Sequence, residues 1–444
     1  MTGSGTHAVR AGSEAAHGHR PVAVPIHQTA AYEFDSWEQA REVFALRQTG
    51  DVYSRTGNPT QLVLEQRLAA LDDGVAALAT GSGQSAVVVA LLALARSGEH
   101  LVASSTLYGG TMDLLTDTFT DFGIESTLVD PLDLEAWAAA IRPTTRALFV
   151  ESVGNPTASI PDLESLAEIA HRAGVPLVVD NTVATAALLK PKDHGADIVV
   201  YSATKHLGGH GGSLAGAIVD LGTFDFGAEP ARWPQFTQPY PRVGDVVLWE
   251  RFGRESSALL VYARTKLVHD LGPSLSPFNA RDILLGIETL EVRLARISTT
   301  TQTVVDALLE HPAVTRVHHP LAERGAARTR AEHYLPRGWP GVLSFDVVDP
   351  ALVPAVVDGL RLFTLAANIG DVRSLVIHPA TTTHSHFTEA QLTQGGFSAA
   401  TIRLSVGLEN PEDLVADLSA TLDAASTAVS AANQNISRQK VGQP

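Results

Sequence analysis

Four short segments bring together residue types that do chemistry in combination. In ADIVVYSATKHLGGHGG, an apolar, β-branched run leads into Ser202, Thr204 and Lys205, followed by Gly208, Gly209, Gly211 and Gly212. A lysine just past the carboxyl end of a buried strand lies where open α/β sheets place their ligands. The flanking hydroxyls offer hydrogen bonds, and the glycines let a cofactor approach the backbone closely. A lone lysine beside a flexible loop is usually a surface residue; the strand, hydroxyls and glycines here argue otherwise. PLVVDNT leaves a second buried run at Asp180, one strand-to-strand step before Lys205. A strand-end amine and a strand-end carboxylate on neighbouring strands are the pair that pyridoxal 5'-phosphate (PLP) chemistry needs: one forms a Schiff base, the other faces the pyridine nitrogen. Taken alone, Asp180 is as readily a helix-capping residue.

The third segment, ALATGSGQSAVVVALLALA, is a glycine-rich turn opening an apolar helix. Unsatisfied amides and the helix dipole at such a start bind phosphate, which points to the backbones of Gly83 and Gln84. Gly81, Gly83 and Ala86 also fit a degenerate dinucleotide-binding pattern, but the acidic residue expected about 20 positions on is missing. The fourth, STLYGGT, places Tyr108 before two glycines, where a ring can lie on a flat cofactor and its hydroxyl can move a proton. A core aromatic is the commoner fate of a single tyrosine.

Composition narrows the choice. The chain has 444 residues, 32 Lys and Arg against 48 Asp and Glu, and a formal charge of −16. An acidic chain is repelled by phosphate backbones and anionic membranes, so a nucleic-acid partner or a membrane surface is not expected. With no cysteine, disulfides, thiolate metal sites and a cysteine nucleophile are excluded. Hydrophobic residues at 45% and mean hydropathy of +0.08 fit a globular protein with real cores. The longest apolar run, near Ala86 to Ala95, is far short of the roughly 20 residues that span a bilayer, and the N-terminal stretch lacks a signal peptide's apolar core. The cytoplasm is the default expectation.

These residues need a scaffold. HLVAS, RALFVES, PLVVDN, ADIVVYS and GAIVD read as buried strands, and DLESLAEIAHRAG between two of them reads as a helix stopped by Gly174. Such runs, nearly continuous in Val, Ile and Leu, imply a mostly parallel sheet covered on both faces. The expected organisation is an extended arm over 1–60, a cofactor-binding large domain over 61–270, a smaller α+β domain over 271–426 and a fraying polar tail over 427–444. Leu414, Leu418 and Leu422 mark a helix in the smaller domain.

VYSRTGNPT, TGSGQSA, LYGGT, FVESVGNPT, VVDNTVAT, SATKHLGGHG, SPFN with GIETLEVR, ANIGDVRSLVIHPATTTH and IRLSVGLENPEDL follow one another over about residues 20–425. In this order the chain resembles the Cys/Met-metabolism family of PLP enzymes, which holds cystathionine synthases and lyases, methionine γ-lyase and O-acetylhomoserine sulfhydrylase; the wording is most similar to the sulfhydrylase branch. The resemblance implies an α/β, fold type I, aspartate-aminotransferase-like architecture with a mostly parallel seven-stranded sheet and a smaller C-terminal domain. It implies that Lys205 carries PLP, Asp180 faces the ring nitrogen, Tyr108 stacks on the ring, and Gly83, Gln84, Thr182, Ser202 and Thr204 surround the cofactor. It further implies that Tyr53 and Arg55 reach the phosphate of a neighbouring subunit, making a homotetramer built as a dimer of dimers. Asn155 then touches the ring oxygen or the substrate, and Arg403 with Ser374 binds the amino acid's α-carboxylate, a bidentate task suited to a planar guanidinium.

The implied reaction is γ-replacement on an O-activated homoserine, most simply O-acetylhomoserine and sulfide giving homocysteine and acetate through a vinylglycine-type intermediate. Other readings stay open: a specialised γ-replacement enzyme with another electrophile or nucleophile, a cystathionine γ-synthase or γ-lyase, and a non-catalytic PLP-fold protein. Gly109 and Gly110 stand where methionine γ-lyases carry a cysteine, which disfavours that activity. Ala280, Arg281 and Asp282 follow SPFN where sulfhydrylases are apolar, and DNTVATA lacks a proline common in that motif. His378, His384 and His386 have neither acidic neighbours nor zinc-helix spacing, so loop packing is expected and a metal is not.

Overall fold

Short runs of Val, Ile and Leu with few polar breaks form the strands of the larger of two units. The computed structural model describes residues 3–13, 21–385 and 387–441, with backbone alone at 390, 391, 394 and 432–441. One compact unit comprises Met1–Ser105, Gly110–Ser152 and Pro161–Leu290; the other comprises Thr106–Gly109, Val153–Ile160 and Glu291–Pro444.

The larger unit is built on β1 (Ala76–Thr80), β2 (His100–Ser104), β3 (Glu125–Val129), β4 (Thr145–Glu151), β5 (Leu177–Asp180), β6 (Ile198–Tyr201) and β7 (Gly216–Asp220), in the spatial order β1-β7-β6-β5-β4-β2-β3. β6, β5, β4, β2 and β3 pair in parallel, and β7 alone runs antiparallel, to both β1 and β6. Val102, Leu148, Val178, Val179, Val199, Val200 and Ile218 are fully buried, as a sheet covered on both faces requires. Each such side chain contributes about 1.5–3 kcal/mol relative to exposure. A short ladder of β8 (Pro239–Tyr240) and β9 (Val246–Val247) lies between β7 and the helix Leu248–Phe252.

Side-chain caps explain several of the helix starts. Ser82 Oγ accepts from the Ser85 amide at the head of Gly83–Leu94, Asp162 from Ser165 at Leu163–Arg172, and Asn58 from Thr60 at Pro59–Leu71. The same chemistry corrects the expectation of a wholly extended arm. Ser36 caps a helix over Trp37–Phe44, and a further helix spans Ser4–Arg10; each is about two turns, too short to show a period among the surrounding Gly and Pro. No helix among the described residues is long and apolar enough to cross a membrane.

The smaller unit carries β10 (Val314–His318), β11 (Val342–Val347), β12 (Thr364–Leu365), β13 (Leu375–Ile377) and β14 (Thr401–Ser405), ordered β10-β11-β14-β13-β12. Here the residues alternate. Leu343, Phe345, Val376, Ile402 and Leu404 join Val304, Val305 and Leu308 and Leu414, Leu418 and Leu422 of two helices in one core. The intervening residues of the same strands face the other way. The last helix, Pro411–Val441, runs on through residues expected to fray. Ser426 and Thr427 donate their hydroxyl protons to the Leu422 and Asp423 carbonyls one turn earlier, so polar side chains are absorbed without ending the helix.

Candidate active site

The parallel register aligns the strand ends that matter. Glu151 lies opposite Asp180, and Asp180 opposite Val200, so Asp180 and the Ser202–Lys205 turn leave the sheet at one edge on adjacent strands. β1 delivers the start of helix Gly83–Leu94 to that edge through its pairing of Thr80 with Gly216. Approach there is close: a Cβ at Gly83 would lie 2.7 Å from Ser202 Oγ, and one at Gly216 would lie 2.6 Å from Thr80 Oγ1. Glycine at 83 and 216 therefore lets the helix start sit directly against Ser202.

The first amides of this helix have no partner within it. Ser82 Oγ accepts from the Ser85 amide, and the Ser82 carbonyl accepts the first bond of the helix, from Ala86; the amides of Gly83 and Gln84 lie ahead of that bond. The Gln84 side chain donates to the Gly110 carbonyl (2.9 Å), so its backbone faces the task alone. Ser202 N–H donates to Thr182 Oγ1 (2.7 Å), and Thr182 N–H to Asp180 Oδ1 (2.9 Å), tying the carboxylate to the Ser202 turn. Thr204 N–H donates to the Ala215 carbonyl while its hydroxyl accepts from the Ala215 amide, closing the neck of the Lys205 loop.

Asp180 keeps some accessible surface at its strand end, yet its carboxyl is desolvated by the surrounding sheet. Burial raises it to about 6, against the lowering effect of the two Thr182 hydrogen bonds. A desolvated carboxylate favours a cation beside it. Together with an amine, two helix-start amides and hydroxyls, this donor set fits a cofactor with an aldehyde, a protonated ring nitrogen and a phosphate. PLP has all three.

Behind the edge, Asn181 accepts from Ser152 Oγ and donates to the Leu189 carbonyl and Tyr201 Oη, and Tyr201 donates to Asp72. These contacts lock the ends of β4, β5 and β6 together. Tyr201 and Asp72 were not singled out from sequence, because residues 129 positions apart share no local pattern.

Helix Pro277–Glu288 holds the Lys205 loop from outside. Gly286 packs directly on the Leu207 and Gly208 carbonyls, where a Cβ would collide, and Asn279 Nδ2 donates to the Leu214 carbonyl. Asp282 Oδ2 accepts from Ser213 Oγ (2.7 Å), and a cavity of about 210 Å³ opens between Thr204, His210, Ser213, Asp282 and Leu285. Ala280 is buried, as an apolar helix position would be, while Arg281 Nη1 is buried without a hydrogen-bond partner among the described residues.

Tyr53 and Arg55 form an exposed tip, the guanidinium lying 5.1 Å from the ring centroid.

In the smaller unit, Arg403 lies mid-strand between the core residues Ile402 and Leu404 and so projects from the opposite face. It is 4% exposed, and its guanidinium donates to Asn155 Oδ1 (3.1 Å) and the Asn368 carbonyl (3.2 Å). Burial lowers it to about 10, offset in part by Tyr108. A buried cation held by two neutral acceptors is ready for a carboxylate. Tyr108 is 50% exposed. Ser374 is buried; its hydroxyl donates to Glu409 and accepts from the Gly407 amide, and its own amide donates to Glu409. Ser374 and Glu409 thus fix the turn after β14, a role whose only sequence trace is their place in the RSLVIHP and GLENPEDL blocks. His378 contacts Thr381 Oγ1 and the Ala399 carbonyl, and His384 contacts Thr383 Oγ1 and stands edge-on to Phe387 and Phe397. His386 lies outside the described residues.

Comparison with known proteins carries the likeness over most of the chain. The profile of the Cys/Met metabolism PLP-dependent enzymes matches residues 5–423. O-acetyl-L-homoserine sulfhydrylase of Leptospira meyeri is 43% identical over 410 residues, 90% of this chain and 92% of that protein. Homocysteine synthase of Schizosaccharomyces pombe is 41% identical over 405 residues, 91% and 94% of the two chains. A crystal structure described as an O-acetylhomoserine (thiol)-lyase from Campylobacter jejuni, with N'-pyridoxyl-lysine-5'-monophosphate in its chain, superposes with a TM-score of 0.89 at 36% identity, covering 95% of this chain and 100% of that one.

Proposed function

Since this chain belongs to the Cys/Met-metabolism family of PLP-dependent enzymes, we propose that it replaces the acetoxy group of O-acetylhomoserine with sulfide, giving homocysteine and acetate. The observation that carries this reading is the single sheet edge where Lys205, Asp180 and the Gly83–Gln84 helix start meet. When bound, PLP supplies an aldehyde that captures the substrate amine and a protonated ring that stores the electrons freed at the substrate's carbons.

The chain's own residues do the rest. Lys205 Nζ anchors the cofactor and, once the substrate amine has displaced it, takes the Cα proton and later returns one. Asp180 keeps the ring nitrogen protonated, the state that its carboxylate favours. The amides of Gly83 and Gln84, with Ser202 and Thr204, hold the phosphate, and Thr182 holds Asp180 in place. Tyr108 lays its ring on the cofactor and passes protons through its hydroxyl. Asn155 and Arg403 take the substrate carboxylate, which replaces the neutral acceptors on Arg403, while Ser374 fixes the adjoining turn. Tyr53 and Arg55 extend to the phosphate of a neighbouring subunit, so the active site is shared across a subunit interface; as the family resemblance implies, the working form is a homotetramer, a dimer of dimers, in the cytoplasm.

The charged Asp282 on Ser213 beside the Lys205 loop favours a second reading, the same chemistry with another nucleophile or electrophile. One experiment separates them: purified holoenzyme is offered O-acetylhomoserine, O-succinylhomoserine, cystathionine or methionine, each with and without sulfide. Homocysteine from O-acetylhomoserine only when sulfide is present is expected. 2-Oxobutyrate formed equally well without any nucleophile overturns the replacement reading in favour of a lyase.

A further inference from the structure

The tip that carries Tyr53 and Arg55 is exposed, yet its base is fixed from inside the fold. Tyr53 bridges to Ala31, and the Ser54 amide donates to the Ala30 carbonyl (2.9 Å). Asn58 Nδ2 donates to the His27 carbonyl and Ser54 Oγ. These contacts hold the near side of the turn.

The far side is held by one long-range side chain. Arg264 Nη1 donates to the carbonyl of Thr56, the residue after Arg55, at 2.6 Å, and Arg264 Nη2 donates to Glu65 Oε2 at 2.6 Å. The other oxygen of Glu65 accepts from the Ala79 amide of β1 at 2.9 Å. Glu65 is buried, with 5% of its side chain exposed, and Arg264 keeps 30%. A single guanidinium and a single carboxylate thus connect the strand that delivers the Gly83–Gln84 helix start to the turn that presents Arg55. Arg264 also lies in a π-helical turn, Ala263–Val268, between α-helical segments. Such turns shift the register of the side chains that follow and recur at functional sites.

We propose that Arg264 is a positioning residue for the Tyr53–Arg55 tip, setting how well this subunit grips the PLP phosphate of its neighbour. The proposal rests on the reading of Tyr53 and Arg55 given above. The guanidinium meets its two partners from two separate nitrogens, Nη1 and Nη2. A lysine keeps a charge against Glu65 but has no second planar N–H group to hold the Thr56 carbonyl.

The test uses full-length protein stripped of PLP and titrated with PLP by absorbance, together with melting curves of the apo form. Arg264→Lys is expected to weaken PLP about tenfold, the worth of one charge-assisted hydrogen bond, while the apo melting temperature stays near that of the unaltered protein. Arg55→Ala is expected to weaken PLP at least as much. An unchanged PLP affinity in Arg264→Lys beside a weakened Arg55→Ala overturns the proposal alone. An unchanged affinity in Arg55→Ala overturns the reading of the tip, and the proposal with it. Co-expression of Arg264→Lys with Lys205→Ala subunits supplies a readout that a merely structural role does not move. The Lys205-bearing subunits regain tight PLP from their neighbours' intact tips, and hybrids with no such recovery overturn the proposal.

Discussion

The two sheets of this protein place chemistry by opposite rules. The seven-stranded sheet is buried on both faces, so a polar group can emerge only where a strand stops, and Asp180 and Lys205 do so. The five-stranded sheet gives one face to a core of Ile402, Leu404, Phe345 and Leu343, which leaves the other free to carry Arg403 in the middle of β14. A strand-end group takes its direction from the loop behind it, whereas a mid-strand group takes it from the register of the sheet. The first arrangement suits groups that move protons and the second a group that only holds.

The sharpest test of that contrast is Lys205→Ala, which is expected to cut turnover by about 10³-fold or more and to leave no cofactor that borohydride can fix to the protein, as peptide mass analysis reads directly. Next is Asp180→Asn, with kcat expected to fall by roughly 10²-fold. It also carries a pH signature. Unaltered apo protein holds a proton on Asp180 below about 6, whereas a cationic ring nitrogen needs the carboxylate. PLP affinity is therefore expected to fall as pH drops below about 6, and Asp180→Asn to abolish that slope. The same raised carboxyl affects stability. Between its ordinary unfolded value of about 3.9 and about 6, the folded apo form binds the proton and the unfolded chain does not, so apo stability declines as pH rises through that window. A flat melting profile there would remove Asp180 from the role of desolvated acid.

Arg403→Met is expected to raise KM for the amino acid by roughly 10- to 100-fold, the range for losing hydrogen bonds to a charged group, with a smaller effect on kcat. A loss confined to kcat would place Arg403 among the proton-moving groups and break the contrast. The smallest effect belongs to Asp282→Ala. Loss of one exposed contact to Ser213 is expected to lower the melting temperature by less than about 4 °C and to leave KM unchanged; an altered preference among nucleophiles would give that charge a part in specificity.

Much of this contrast is legible in the sequence, for physical reasons. PLVVDN and ADIVVYS announce strand ends because continuous apolar runs are broken by a charge, and TIRLS shows its buried arginine by alternation. β1, by contrast, is AALAT, whose alanines carry no strand preference, and its place in the sheet comes from its ladder with β7. Strand direction is equally silent: nothing in GAIVD says that β7 runs against its neighbours. The Glu65–Arg264 pair joins residues 199 positions apart, and no local period records such a contact. The arm helix Trp37–Phe44 is fixed by a single cap, Ser36, which stands out only once the neighbouring backbone is known.

The reversed course of β7 bears on how the lysine works. β6 and β7 pair side by side, Tyr201 with Ala217, so the Lys205 segment is the tip of a hairpin whose two legs are zipped together. Its crest is pressed against Gly286 and pinned at Ser213. A backbone held at both feet and at its crest has little travel of its own, so in the exchange proposed above Lys205 would change partners by turning about its four side-chain carbons. The sheet behaves as a vice and the lysine as a short swinging arm, with a reach set by the length of the residue.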